Sequence, residues 1–74
     1  MALAPSLHDK LTTALERHTD SSWEETVIEL AHNRRAFCFR GHRARERALD
    51  KLQDPEVIPV SDIIEISGTY CFVA

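Results

Sequence analysis

The sequence predicts one α+β domain over residues 1–74, with the element order α-α-β-α-β-β and a small antiparallel sheet whose C-terminal hairpin packs against helices. Apolar residues recur at helical spacing up to about residue 31, the spacing changes to two at residue 36, and residues 58–73 are rich in β-branched and aromatic side chains. A chain this short buries only about 60 to 65% of the surface that its unfolded form exposes, so we expect a thin core.

The first helix is predicted over residues 6–18. Pro5-Ser6 followed by Asp9 is typical of a helix start, because the serine hydroxyl can accept a bond from a backbone N–H of the first turn. The apolar residues of this segment then fall on one side at helical spacing: Leu7, Leu11, Ala14 and Leu15.

A second helix is predicted to start near Ser21 or Ser22, since each serine has a glutamate three residues later and can form a capping box. A polar link through Thr19 and Asp20 joins it to the first helix, which indicates a helical hairpin, and Asn33 is its expected end. Its apolar stripe consists of Trp23, Val27, Leu30 and Ala31.

Residues 36–40 alternate as a short strand does, with Phe37 and Phe39 on one face and Cys38 and Arg40 on the other. Gly41 breaks that strand. Residues 42–52 then read as a third helix, which ends before the Asp54-Pro55 pair.

The C-terminal segment predicts a β-hairpin in which Ser67-Gly68 forms a two-residue turn between residues 63–66 and 69–73. In this register Ile64 and Ile66 share a face with Cys71 and Val73, while Ile63 lies with Tyr70 and Phe72. Both faces are then apolar, so helices should cover one face and partly cover the other. A competing interpretation has Ser61 cap a short helical turn over residues 62–66.

Composition is that of an ordinary globular chain, with 43% hydrophobic and 28% charged residues. The first ten residues do not resemble a secretory leader, and no apolar run approaches the roughly 18 residues that span a bilayer. Two cysteines are too few for a disulfide scaffold. We therefore expect a cytoplasmic, soluble protein with no membrane association and no cofactor.

Charge is distributed unevenly along the chain. Residues 34–51 contain seven of the nine Lys and Arg residues but two of the twelve acids, a net of +5, whereas the remainder has two cations and ten acids, a net of −8; together they give the overall −3. Arginines in the first turn of the third helix face its positive dipole end, which costs on the order of 0.3 to 1 kcal/mol each unless an anion lies nearby.

That anion has two candidate sources, which the sequence leaves open. It could be internal, from Glu56, Asp62, Glu65 or the acidic second helix, or external, bound at the strand-glycine-helix junction. The external alternative predicts a contact surface formed by Arg34, Arg35, Arg40, His42, Arg43, Arg47 and Lys51. A second candidate surface is the acidic face of the predicted second helix: Glu24, Glu25 and Glu29.

These surfaces favour a non-enzymatic protein-binding module whose partner presents an acidic surface. By analogy from size alone, a small acidic chain without an active-site pattern resembles small regulators or inhibitors, phage-type ones among them, that occupy the surface of another macromolecule. Opposite patches on two copies could instead form a homodimer. The alternative function is a nucleic-acid-binding regulator using the same arginines, but the sequence pI near 5.7 disfavours a polyanionic partner.

A thiol- or metal-dependent enzyme is the third function class. His32, Cys38, His42 and Cys71 have the atom types that zinc prefers, and Cys38 with His42 could form an activated thiol. Their spacing lacks the close ligand pairs of common zinc sites. Neither catalytic nor metal-ligating residues are therefore assigned.

Overall fold

The computed structural model describes residues 6–18 and 22–74, in which two helices and four strands occur. Their order is α-β-β-α-β-β: α1 Leu7–Glu16, β1 Glu25–Glu29, β2 Arg35–Phe39, α2 Ala44–Leu52, β3 Ile64–Ile66 and β4 Thr69–Val73. The α+β character is as predicted. The predicted order α-α-β-α-β-β is wrong, because a strand replaces the second helix.

The four strands form one antiparallel sheet in the order β1-β2-β4-β3. β2 and β4 are the central pair, with Phe37 opposite Phe72 and Cys38 opposite Cys71. β1 and β3 are the edges, and α2 carries the chain from β2 across to β3.

Each face of the sheet has its own apolar cluster and its own helix. On one face, Leu11 of α1 packs with Trp23 and with the two cysteines. On the other face, Ala44 and Ala48 of α2 pack with the phenylalanines of β2 and β4. The molecule therefore has three layers, with the sheet between the helices.

The predicted second helix fails at Glu25–Glu29. Its apolar residues do follow helical spacing, but Thr26, Val27 and Ile28 are three consecutive β-branched residues, which favour a strand. Burial along this segment alternates with a period of two, and each residue has a partner in β2. The predicted link at Thr19 and Asp20 and the cap at Ser21 lie outside the described residues.

The end predicted for that helix is instead the β1–β2 turn. His32 and Asn33 both have φ of 61°, in the left-handed region, and Arg34 N–H donates to the Ala31 carbonyl at 3.4 Å. Asparagine tolerates this conformation better than most residues do. The polar residue taken as a helix stop therefore reverses the chain between two strands.

The other elements occur where they were predicted. The Ser6 hydroxyl caps α1 by accepting from Asp9 N–H at 3.1 Å. The predicted strand at 36–40 and third helix at 42–52 correspond to β2 and α2. The C-terminal hairpin has its turn at Ser67-Gly68, with φ of 48° and 81°, and pairs Ile64 with Cys71 as expected. The competing helical turn at 62–66 is excluded.

Within residues 6–18 and 22–74, neither helix has the length and apolar character that a bilayer crossing requires.

We expect Leu11→Ala to lower the free energy of unfolding by about 2 to 5 kcal/mol, because it leaves a cavity under a fully buried side chain. Leu49→Ala is the matched control in α2, where the residue is 37% exposed, and should cost less than about 1 kcal/mol. Urea denaturation followed by circular dichroism measures both. Equal losses would contradict the placement of α1 on the sheet.

Candidate functional site

Three cations of the predicted contact surface have carboxylate partners in the same molecule. Arg43 pairs with Glu46, the Arg47 guanidinium lies 3.1 Å from Glu25 and 3.7 Å from Glu24, and Lys51 Nζ lies 3.4 Å from Asp54. A bond from Glu56 N–H and the nearby Lys51 lower the pKa of Asp54. These three cations therefore have an internal source of negative charge. Of the predicted internal sources, only the acidic segment with Glu24 and Glu25 supplies partners in the ion pairs of the described residues, while Glu46 and Asp54 supply the others.

Arg47 is the least exposed of these three cations, with 26% of its side chain exposed. It also donates a bond to the Arg40 carbonyl at 2.6 Å, and its Nε is buried without a partner in the described part of the chain. Arg47 therefore links α2 to edge strand β1 and to the end of β2.

Arg40 contacts Trp23, which lies two residues before the start of β1. Its Nε donates to the Trp23 carbonyl at 2.7 Å, and its guanidinium lies 4.1 Å from the centre of the Trp23 ring. A cation at this distance over an indole face is attracted by the ring quadrupole. The half-buried Arg40 side chain thus holds Trp23 over the cysteine face of the sheet.

The remaining residues of the predicted contact surface are Arg34, Arg35 and His42. All three are exposed, and they do not lie together: Arg34 and Arg35 precede or begin β2, whereas His42 follows it. The Arg35 guanidinium lies 5.7 Å from the Phe37 ring centre. The seven residues of the predicted contact surface therefore occupy several environments, at both ends of β2 and along α2.

The predicted acidic surface lies on and beside β1 and touches the cationic one. Glu24 and Glu25 pair with Arg47, and Glu29 is the cross-strand neighbour of Arg35. The side chain of Glu24 also lies beside Gly41, where an added Cβ would be 3.6 Å from Glu24 Cγ. The two surfaces that the sequence predicts as separate therefore meet at Arg47 and at the Glu29–Arg35 pair.

At the start of α2, carboxylates of the protein line the junction at which the sequence predicts external anion binding as one alternative. A surface depression of about 380 Å³ there is lined by three acids together with His42, Arg43 and Arg47. Glu46 lies in the first helical turn, where it is favoured by the dipole. The junction therefore has its own carboxylates close to the helix N-terminus.

A second depression lies where α2 leaves part of the sheet uncovered. We call it the β1 groove: a cavity of about 420 Å³ lined by Glu25, Thr26, Val27, Phe37, Phe39 and Lys51. α2 packs on β2 and β4, and β1 extends beyond it. As a result, Val27 is 47% exposed and Phe37 is only partly buried.

Phe37 forms the floor of the β1 groove. Its ring stacks on Phe72 with centres 5.2 Å apart, and the cations of Arg35 and Lys51 lie 5.7 Å and 5.8 Å from its centre. Aromatic rings with nearby cations are frequent at protein interfaces. The sequence prediction did not identify this groove, although the alternation Glu25-Thr26-Val27-Ile28-Glu29 was the signal that could have shown it.

Cys38 and Cys71 face each other across β2 and β4, and both are fully buried. The bond to Cys71 and burial raise the pKa of the Cys38 thiol, the opposite of what an activated nucleophile needs. His32 and His42 lie beyond opposite ends of β2. Among the described residues, no group of three or more His, Cys, Asp or Glu side chains could hold a metal ion.

Neither a family model, nor a curated protein, nor a solved structure matches this chain.

We expect Arg47→Ala to lower the free energy of unfolding by about 1 to 3 kcal/mol, since it removes charged hydrogen bonds between α2, β1 and β2. Arg43→Ala, the matched control at a more exposed pair, should cost less than about 1 kcal/mol. Chemical denaturation separates the two cases. If Arg43→Ala costs as much, the link through Arg47 has no special role.

We expect both thiols to react with a disulfide reagent such as DTNB on the order of 10³-fold more slowly in native protein than in urea, because modification requires opening of the sheet. Absorbance of the released thiolate measures the rate. Rapid labelling of native protein would show that the Cys38–Cys71 pair is accessible.

Proposed function

We propose that this protein is a non-enzymatic protein-binding module, a small regulator or inhibitor that acts by occupying the surface of another macromolecule. The observation that carries the proposal is the β1 groove. Val27 and Phe37 present apolar surface there, next to charged groups at its rim. A site with an apolar centre and a charged rim has the composition of a protein interface.

The proposal moves the contact surface from the whole arginine segment to one part of it. Arg35 and Lys51 remain at the groove, where they flank Phe37. Arg40 and Arg47 bind groups of this molecule instead. Glu25 and Glu29 also lie along β1. A partner whose charges are opposite to these acids is therefore better supported than the purely acidic partner expected from the sequence.

Nucleic-acid binding has less support than protein binding. Arg43, Arg47 and Lys51 each have a carboxylate within 4 Å, which reduces the positive charge offered to phosphates. The cytoplasm remains the expected compartment, since neighbouring free thiols at Cys38 and Cys71 suit a reducing environment.

Affinity capture from cells that express the protein naturally tests this function. We expect Val27→Thr, which keeps strand propensity but makes the groove polar, to reduce capture of protein partners by about tenfold. Val60→Thr is the matched control, because Val60 is 58% exposed and lies outside the groove lining. Both variants should keep the native circular dichroism spectrum.

The same capture experiment can contradict the proposal in two ways. Equal capture by Val27→Thr and native protein would remove the groove as the binding site. Loss of all captured protein after nuclease treatment, with affinity falling steeply as salt rises, would favour the nucleic-acid alternative.

A further inference from the structure

On the outer side of β1, backbone groups face away from the sheet, and no strand among residues 6–18 and 22–74 pairs with them. Arg40 N–H donates to the Glu24 carbonyl and Leu30 N–H to the Arg34 carbonyl, both at 2.8 Å, so these β1-flanking residues bond towards β2. In an antiparallel pair, successive residues direct their backbone N–H and C=O groups alternately towards the neighbouring strand and away from it. The β1–β2 register has no interruption between residues 25 and 29. The N–H and C=O groups of Glu25, Val27 and Glu29 therefore point away from β2, and no described residue pairs with them in the sheet.

The side chains of the same residues lie on the face of the β1 groove. Their cross-strand neighbours are Phe39, Phe37 and Arg35, and the two phenylalanines belong to the α2 face. Along the outer edge, this face therefore carries an acid, an apolar side chain and an acid at alternate positions: Glu25, Val27 and Glu29. Arg35, Arg47 and Lys51 lie on the inner side, on β2 and α2.

The opposite edge of the sheet does not offer an equivalent row. β3 has three residues, of which Glu65 alone directs its backbone outward between the pairs Ile64–Cys71 and Ile66–Thr69. Beyond β3, the edge of β4 is already occupied, because Val60 N–H donates to the Val73 carbonyl and Val73 N–H donates to the Ser61 hydroxyl. β1 is therefore the edge with room for another strand.

We propose that β1 binds an extended segment of a partner protein by strand addition, and that this segment has basic, apolar and basic residues at alternate positions. Outward backbone groups of β1 would bond to the segment, as in other edge-strand complexes. The apolar residue would pack beside Val27 in the groove, and the basic residues would lie opposite Glu25 and Glu29. The inference rests on the proposed function and adds the chemistry of the partner.

Charge also argues against a second copy as the occupant in the symmetric register. An antiparallel β1–β1 pair centred on Val27 would place Glu25 of each copy opposite Glu29 of the other, which gives two pairs of like charges. Like charges directly opposite each other destabilise a strand pair, whereas opposite charges stabilise it. A basic segment meets the same edge with two attractive pairs.

A capped heptapeptide, Thr-Lys-Thr-Val-Thr-Lys-Thr, is the probe, titrated into the isotope-labelled full chain and followed by NMR. We expect binding that weakens with added salt, and slower hydrogen exchange at the amides of Glu25, Val27 and Glu29. Amides of Thr26 and Ile28, which already face β2, should change little. The same peptide with glutamates in place of the lysines should bind about tenfold more weakly or not at all.

Charge reversal on the protein provides the matched controls. Glu29→Lys should weaken binding of the lysine peptide about tenfold, and Glu29→Gln by a smaller factor. Glu65→Lys makes the same charge change on the other edge strand and should alter affinity less than about twofold. The NMR spectra of the free variants verify that each retains the native fold.

Several results would overturn the proposal. Peptide binding that leaves the Glu25, Val27 and Glu29 amides exchanging at their free rates would indicate groove binding without strand addition. Protection of these amides in peptide-free protein that rises with protein concentration would identify a second copy as the occupant. Equal affinity for the lysine and glutamate peptides would contradict the proposed requirement for basic residues opposite Glu25 and Glu29.

The two proposals fail separately. If Val27→Thr reduces protein capture but the lysine peptide does not bind, the protein-binding function stands and the strand-addition inference falls. If capture is independent of Val27, the proposed function itself falls, whatever the peptide does.

Discussion

The pairing of β2 with β4 is the interaction on which the rest of the molecule depends. Every residue from Ala36 to Phe39 has its partner in β4, and the alternation gives each face of the pair its own apolar content. Small thiols on one face leave room for Leu11 and Trp23, while stacked phenylalanines on the other meet the alanines of α2. A chain of 74 residues thus obtains two thin apolar layers from one pair of strands.

Each face of the sheet is covered by a single helix, and the position of that helix determines which strand remains exposed. α2 lies over the central strands, so β1 is attached mainly by its ladder with β2 and by Arg47. Arg47 is suited to this because a guanidinium can reach a carboxylate and a backbone carbonyl at once. The same arrangement that holds β1 in place exposes Val27 and part of Phe37 beside it.

Much of this fold could be predicted from local patterns, because α1, β2, α2 and the C-terminal hairpin each carry a spacing and a boundary residue that agree. β1 could not be separated from a helix in that way, since Trp23, Val27 and Leu30 fit helical spacing while Thr26 to Ile28 favour a strand. Pairing with β2 decided between them. The charged residues were identified by composition, but which carboxylate meets which cation depends on that pairing, so the ion pairs could not be assigned from the sequence.

The concentration of arginines in the middle of the chain now has a structural explanation for part of its length. Two arginines of the basic segment that follows β1 contact β1 and its approach: Arg47 pairs with Glu24 and Glu25, and Arg40 binds the Trp23 carbonyl. Glu25, which also pairs with Arg47, and Glu29, which lies opposite Arg35, stand on either side of Val27 along the edge of the sheet. Charged side chains on an edge strand discourage pairing with a like-charged copy. In the proposed strand addition the same side chains would favour an oppositely charged strand, so the residues that disfavour pairing with a second copy would also select the partner.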